Sequence, residues 1–107
     1  MICSAYDTFF STLADSTKLE IINLLSKHSL TVGEIAKKLN LEQSRVSHNL
    51  KILLDKRFVN VKLNGRYRIY SLDENTVAPI LKLIDKHVEK YYVDYCKCKG
   101  VTWRKRE

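Results

Sequence analysis

The sequence predicts a mainly α-helical protein with one small β-hairpin, in the order α-α-α-α-β-β-α. Apolar residues recur at helical spacing in four stretches before residue 57 and in a long stretch after residue 73. Between them, residues 58–72 alternate apolar and polar side chains around the dipeptide Asn64-Gly65, which is typical of a tight hairpin turn. We therefore predict a single domain over residues 4–95 and a basic, cysteine-containing tail over residues 96–107.

Length and charge limit the classes of function. A chain of 107 residues with 45% hydrophobic residues can bury one modest core. Nineteen Lys and Arg against twelve Asp and Glu give a net charge of +7, which favours an anionic partner, with nucleic acid ahead of a membrane surface. The charge could also serve solubility alone. The sequence shows no signal peptide and no apolar run long enough to span a bilayer, so we expect a cytoplasmic protein.

The central stretch, residues 31–56, carries the pattern of two short helices joined by a tight turn. Thr31 and Glu34 form a capping-box pair that begins the first helix, and Asn40 can adopt the left-handed conformation that ends it. The second helix is predicted from about Glu42 to Lys56. Its outward side chains can bond base edges and phosphates in a major groove, although polar residues on a helix are often only its solvated face. These outward residues are Gln43, Ser44, Arg45, Ser47, His48 and Lys51.

The hairpin at residues 58–72 follows this helix directly, so the arrangement predicts a winged helix-turn-helix. Its three basic residues near the turn, Lys62, Arg66 and Arg68, suit contacts with DNA phosphates or the minor groove. We expect the return strand to start at Arg66, directly after an Asn64-Gly65 turn.

The first and last helices are predicted to form a homodimer. The first helix, residues 4–13, has an aromatic face that packs either on its own core or on a second copy. The last helix, residues 74–95, is predicted to be capped by Asp73, and Pro79 inside it is expected to cost one backbone hydrogen bond and to bend the helix. Its apolar stripe is longer than a small domain needs for itself. The predicted interface residues are Tyr6, Phe9, Phe10, Ile80, Ile84, Val88, Tyr91 and Tyr95.

The second helix of the chain lies between the first helix and the helix-turn-helix, and it is predicted to begin at the N-cap Asp15. Its core residues are expected to be Leu19, Ile21, Ile22, Leu24 and Leu25. His28 at its end is interpreted as a solvated side chain near the negative helix terminus.

The order of parts over residues 4–95 resembles the ArsR/SmtB-type winged-helix repressors. The motifs that carry the resemblance are LADSTKLEIINLL, QSRVSHNLKIL and GRYRIYSL. It implies a homodimer, joined through the first and last helices, that binds a palindromic operator and represses transcription. Many members of that family release DNA on binding a metal ion or metalloid, or on thiol oxidation.

The family's sensing residues do not carry over to this sequence. The Cys-x-Cys segment that arsenic and cadmium sensors often place before the recognition helix is absent from VGEIAKKLN. At the positions of the zinc-sensor ligands stand Glu74, Thr76, His87 and Lys90, and only His87 is an unchanged ligand.

The three cysteines, Cys3, Cys96 and Cys98, lie near the two ends of the chain. If the terminal helices pair across a dimer, these thiolates could bind a soft metal or metalloid ion. They could also be oxidised, with neighbouring lysines favouring the thiolate. Alternatively they are incidental or form a structural disulfide.

The sequence thus predicts a sequence-specific DNA-binding transcriptional regulator that is not an enzyme. An alternative is a winged-helix module that docks an acidic protein, but the polar outward residues lack the large apolar anchors of protein interfaces. A thiol enzyme based on Cys96 and Cys98 is disfavoured, since the sequence has neither a cofactor loop nor paired catalytic groups.

Overall fold

The computed structural model describes residues 3–100, which form two compact units that divide between Asp73 and Glu74. The first unit contains α1 (Ala5–Ala14), α2 (Ser16–Leu25), α3 (Val32–Leu39), α4 (Gln43–Asp55), β1 (Val59–Asn64) and β2 (Tyr67–Leu72). The second contains α5 (Val77–Tyr91) and α6 (Val93–Cys98). The predicted mainly helical fold with one hairpin is confirmed, and α6 is an element that the sequence did not predict.

The helix boundaries of the first unit follow from local hydrogen bonds. The Asp15 carboxylate accepts from the Lys18 amide at 2.9 Å and caps α2. At the start of α3, the Glu34 amide donates to the Thr31 hydroxyl at 3.2 Å, and the Thr31 amide donates to the Glu34 carboxylate at 2.9 Å. Asn40 ends α3 in the left-handed region, at φ 54°. The capping box and the left-handed exit are therefore confirmed.

The core of the first unit joins all of its helices to the base of the hairpin. Its largest fully buried side chains are Phe58, Ile21, Ile22, Ile35, Leu50, Leu53, Val46 and Val59. Phe58 also stacks on Phe9 of α1, with ring centroids 5.0 Å apart. Leu19 and Leu24, predicted as core, are only half-buried because they lie at the edges of the inward face of α2.

The hairpin is antiparallel, with a register that runs from Val59 opposite Leu72 to Asn64 opposite Tyr67. Its two-residue loop is therefore Gly65–Arg66, so the predicted Asn64-Gly65 loop and the Arg66 start of the return strand are wrong by one residue. Gly65 has φ +64°, and a positive φ at the first loop position is the arrangement of a type II′ turn. Asn64 instead pairs with Tyr67 as the last ladder residue.

A backbone bridge links this hairpin to the segment before α3. The Leu30 amide donates to the Tyr70 carbonyl at 3.0 Å, and the Tyr70 amide donates to the Leu30 carbonyl at 2.8 Å. Both side chains are buried. The bridge fixes the hairpin relative to the start of the helix-turn-helix.

In the second unit, the last helix differs from its predicted range of 74–95. It begins at Val77 after the N-cap Thr76, so Asp73 is not its cap. Pro79 is thus the third residue of the first turn, where a backbone N–H has no partner within the helix, and the predicted loss of a backbone bond does not occur. The helix ends at Tyr91, and a separate α6 starts at Val93.

Candidate nucleic-acid interface

The part of α4 from Gln43 to Lys51 divides into a buried face and an exposed face. Val46, Asn49 and Leu50 are buried. The exposed side chains of the same stretch all carry hydrogen-bonding groups. They are Gln43, Ser44, Arg45, Ser47, His48 and Lys51. Each of the α4 residues predicted to contact DNA is therefore accessible, although its contact with DNA stays a prediction.

These exposed residues are not equivalent. Ser44, His48 and Lys51 recur at spacings of four and three residues, so they form one column directly opposite the buried face. The side-chain nitrogen Nε2 of Gln43 lies near Gly33 of α3, 3.6 Å from the position that a Cβ on that glycine would occupy. Arg45 lies on the opposite flank, where its Nη2 donates a hydrogen bond to the Thr17 hydroxyl of α2 at 3.0 Å.

The tip of the hairpin presents both basic and apolar side chains. Lys62, Arg66 and Arg68 are exposed, as the sequence predicts. Leu63 lies opposite Arg68 and is 75% exposed, which is unusual for a leucine. Cations at the tip of a narrow ribbon can approach phosphates without steric hindrance from the rest of the protein.

Two carboxylates near this surface are held in the charged form by helix capping. The amide of Lys18 is the main cause of the lowered pKa of Asp15, with smaller contributions from the Lys18 and Arg45 charges. The Thr31 amide in the same way lowers the pKa of Glu34. Both negative charges therefore stabilise helix N-termini at neutral pH.

The residues predicted at a dimer interface fall into two groups by exposure. Tyr6 and Phe10 on α1 are 58% and 59% exposed, whereas Phe9 is half-buried against Phe58. In the second unit, Ile80 and Val88 are half-buried. The remaining predicted interface residues there are exposed: Ile84, Tyr91 and Tyr95.

Comparisons with known proteins identify the family. The model described as "Bacterial regulatory protein, arsR family" matches residues 15–61, which cover α2, the helix-turn-helix and the first residues of β1. The chain is 32% identical over 77 residues to an arsenical resistance operon repressor of Bacillus subtilis, and the match spans 71% of this chain and 73% of the relative.

 The chain belongs to the arsR family of bacterial regulatory proteins.

A second relative is the transcriptional repressor SmtB homolog of Synechocystis sp. It is 34% identical over 82 residues, which span 77% of this chain and 62% of the relative. The chain thus matches less than two thirds of the length of this relative. Both matches agree with the ArsR/SmtB resemblance, which is confirmed.

Among solved structures, the fold is similar to the homodimeric winged helix-turn-helix DNA-binding domain of Mb0332 from Mycobacterium bovis. The TM-score is 0.76 at 21% identity, and the match covers 83% of this chain and 82% of that chain. This likeness concerns the fold, and it confirms the predicted winged helix-turn-helix. Its membership of the arsR family, together with its repressor relatives, makes this chain a DNA-binding transcriptional regulator.

At three of the four positions that correspond to the family's zinc ligands, this arsR-family protein has a different residue. Glu74 and Thr76 precede α5, and the His87 ring packs 4.8 Å from the Tyr91 ring. Within residues 3–100, no group of three or more His, Cys, Asp or Glu side chains is arranged to hold a metal ion. The expectation that these residues form no zinc site of the family's last-helix type stays a prediction.

The three cysteines are free thiols in the described chain. Cys3 and Cys98 are exposed and Cys96 is half-buried. Cys96 and Cys98 lie within α6 rather than after the last helix. Because residues two apart on a helix point in different directions, α6 opposes a disulfide between them. A soft-metal or redox role for Cys3, Cys96 and Cys98 stays a prediction.

Two residues of the interface were missed by the sequence analysis of this family member. Asn49 is buried, and its side-chain amide donates to the Arg45 carbonyl at 2.8 Å. Its spacing from Val46 and Leu53 places it on the inward face, so periodicity could have identified it. Thr17 is 28 residues from its partner Arg45, and no local pattern indicates that pair.

Among residues 3–100, no helix is long and apolar enough to cross a membrane.

Proposed function

We propose that this protein is a homodimeric transcriptional repressor that binds a palindromic DNA operator. The observation that carries the proposal is the exposed face of α4 between Gln43 and Lys51. Every exposed side chain there can form hydrogen bonds, while the opposite face is buried in the core. A rigid helix with this division can enter a major groove and contact base edges.

Different residues of the exposed surface contact base edges and phosphates. Gln43, Ser44, Ser47 and His48 lie near the helix start and contact bases or adjacent phosphates. Lys51 and the hairpin residues Lys62, Arg66 and Arg68 contact mainly the phosphate backbone. A two-fold dimer presents two such surfaces to half-sites about 34 Å apart, which is why the operator is palindromic.

Docking to an acidic protein is the competing function. Protein interfaces are usually anchored by large apolar side chains that become fully buried. The exposed part of α4 from Gln43 to Lys51 contains none. Its small serines and hydrogen-bonding groups suit DNA better.

Binding of duplexes selected from a random library, measured at several salt concentrations, tests the proposal. We expect the parent to recover a palindrome. Arg66→Ala should weaken binding to selected and random DNA alike and lower the salt slope by about one. Gln43→Ala should relax the preference at one or more bases.

Lys27→Ala is the matched control for the lost charge. Lys27 follows the C-terminal end of α2, whereas Thr17 lies at its start. The ten residues between them correspond to about 15 Å along a helix. Lys27→Ala should leave the salt slope unchanged. If Arg66→Ala and Gln43→Ala both bind selected and random DNA like the parent, the assigned surface is wrong. If the parent instead binds only acidic protein, the docking function replaces the proposed one.

A further inference from the structure

Arg45 occupies a different part of the recognition helix from its polar neighbours. One turn of a helix takes about 3.6 residues, so Arg45 lies one turn before the buried Asn49. Ser44 lies one turn before the exposed His48. Arg45 therefore borders the buried face of α4, whereas Ser44 and His48 belong to the column that points away from the protein.

Both ends of Arg45 are held by other residues. Its backbone carbonyl accepts from the buried Asn49 side chain at 2.8 Å. Its Nη2 donates to the Thr17 hydroxyl at 3.0 Å. Thr17 is half-buried in the first turn of α2 and is therefore a fixed acceptor.

The charge around Thr17 favours this position of the guanidinium. Asp15 caps the same turn of α2, and the Arg45 charge is one of the contributions that lower the pKa of its carboxyl. A cation on this flank is thus attracted by a carboxylate that is itself held in place by the Lys18 amide. A guanine contact would require paired guanidinium donors to turn away from Thr17 and Asp15.

We propose that Arg45 is a positioning residue that fixes the recognition helix against α2 through Thr17, and that base recognition belongs to its exposed neighbours. This inference rests on the proposed function, because it concerns how the same surface recognises DNA. It revises the expectation that Arg45 contacts bases. The bond between Thr17 and Arg45 sets the angle at which Ser44 and His48 are presented to the groove.

The test compares four variants of the full chain on the duplex that the parent selects and on a panel of single-base changes to it. The variants are Thr17→Val, Thr17→Ser, Arg45→Met and the double variant Thr17→Val with Arg45→Met. Thr17→Val and Arg45→Met should each weaken binding by about 2- to 10-fold, the range expected for one net hydrogen bond. The loss should be equal across the panel.

The double variant should bind no more weakly than Arg45→Met alone, because the two changes remove the same bond. Thr17→Ser keeps the hydroxyl and should bind like the parent. The salt slope of Thr17→Val should equal that of the parent, and the loss of one net hydrogen bond should lower its urea midpoint only slightly. Thr17→Val that is fully folded under the binding conditions and still binds DNA more weakly separates positioning from a general structural role.

Three results would overturn the inference. Arg45→Met could lose the preference at one operator base while Thr17→Val keeps it, which would assign Arg45 to base recognition. Arg45→Met could lower the salt slope by about one, which would assign it to a phosphate. Additive losses in the double variant would show that the bond is not shared. A parent that selects no duplex would instead overturn the proposed function itself.

Discussion

Phe58 shows how one residue can join several elements. Its ring is 2% exposed and stacks on Phe9 of α1, while its amide donates to the Leu53 carbonyl of α4 at 2.9 Å. Its carbonyl accepts from the Asp73 amide at 3.0 Å, at the base of the hairpin. The ring therefore fills the space where the recognition helix passes into the hairpin.

Truncating Phe58 should destabilise the protein strongly. Phe58→Ala removes a fully buried ring and leaves a cavity, so the free energy of unfolding should fall by about 3–5 kcal/mol. Urea unfolding monitored by circular dichroism measures it. Leu63→Ala is the control, since Leu63 is 75% exposed and should change stability by less than about 0.5 kcal/mol. Similar losses in both variants would contradict the assigned core.

At the scale of elements, the sequence predicted best where local chemistry decides the structure. The capping box of Thr31 and Glu34 and the left-handed Asn40 were identified because each acts within a few residues.

The start of α5 was not identified from the sequence, because Asp73 and Thr76 can both cap a helix and Pro79 is compatible with either start. The end of α5 at Tyr91 has no glycine or proline to mark it. Contacts between distant residues, such as Thr17 with Arg45, leave no local pattern.

The capping box of α3 should make part of the stability depend on pH. Because the folded pKa of Glu34 is lowered, its contribution is complete above the ordinary value of 4.5 and is lost as pH falls through the folded pKa. Glu34→Gln keeps an oxygen acceptor but cannot ionise. The difference in urea midpoint between the parent and Glu34→Gln should therefore shrink as the pH is lowered from about 6 to about 3. These two pH values lie about one unit or more above and below the ordinary pKa of the carboxyl group.

Thr31 provides the matched comparison for that experiment. Thr31→Ala should lower the free energy of unfolding by about 1 kcal/mol, and Thr31→Ser should retain most of it, because serine also caps helices. None of these side chains ionises, so this loss of stability can be measured at a single pH. A parent-to-Glu34→Gln difference that is constant with pH would show that the carboxylate charge does not support α3.

At the scale of the whole molecule, the exposed apolar side chains are the feature that one chain leaves unexplained. Tyr6 and Phe10 on α1 and, in the other unit, Ile84 and Tyr91 on α5 are exposed to solvent. On each unit taken by itself, large apolar side chains exposed to water are unusual for a monomeric protein. A second copy of the chain would remove them from water and would pair two recognition helices for one palindrome.

Placing a charge on α5 tests this assembly. Ile84→Glu should shift the protein from dimer to monomer in sedimentation velocity, because the dimer would bury an unpaired carboxylate. Operator affinity should fall with it, since a monomer contacts one half-site. Lys82→Glu is the control: residues two apart on a helix face different directions, and Lys82 is already charged and exposed. If Ile84→Glu remains dimeric at the concentrations where the parent does, α5 does not form the interface, and the two recognition helices must be paired by another surface.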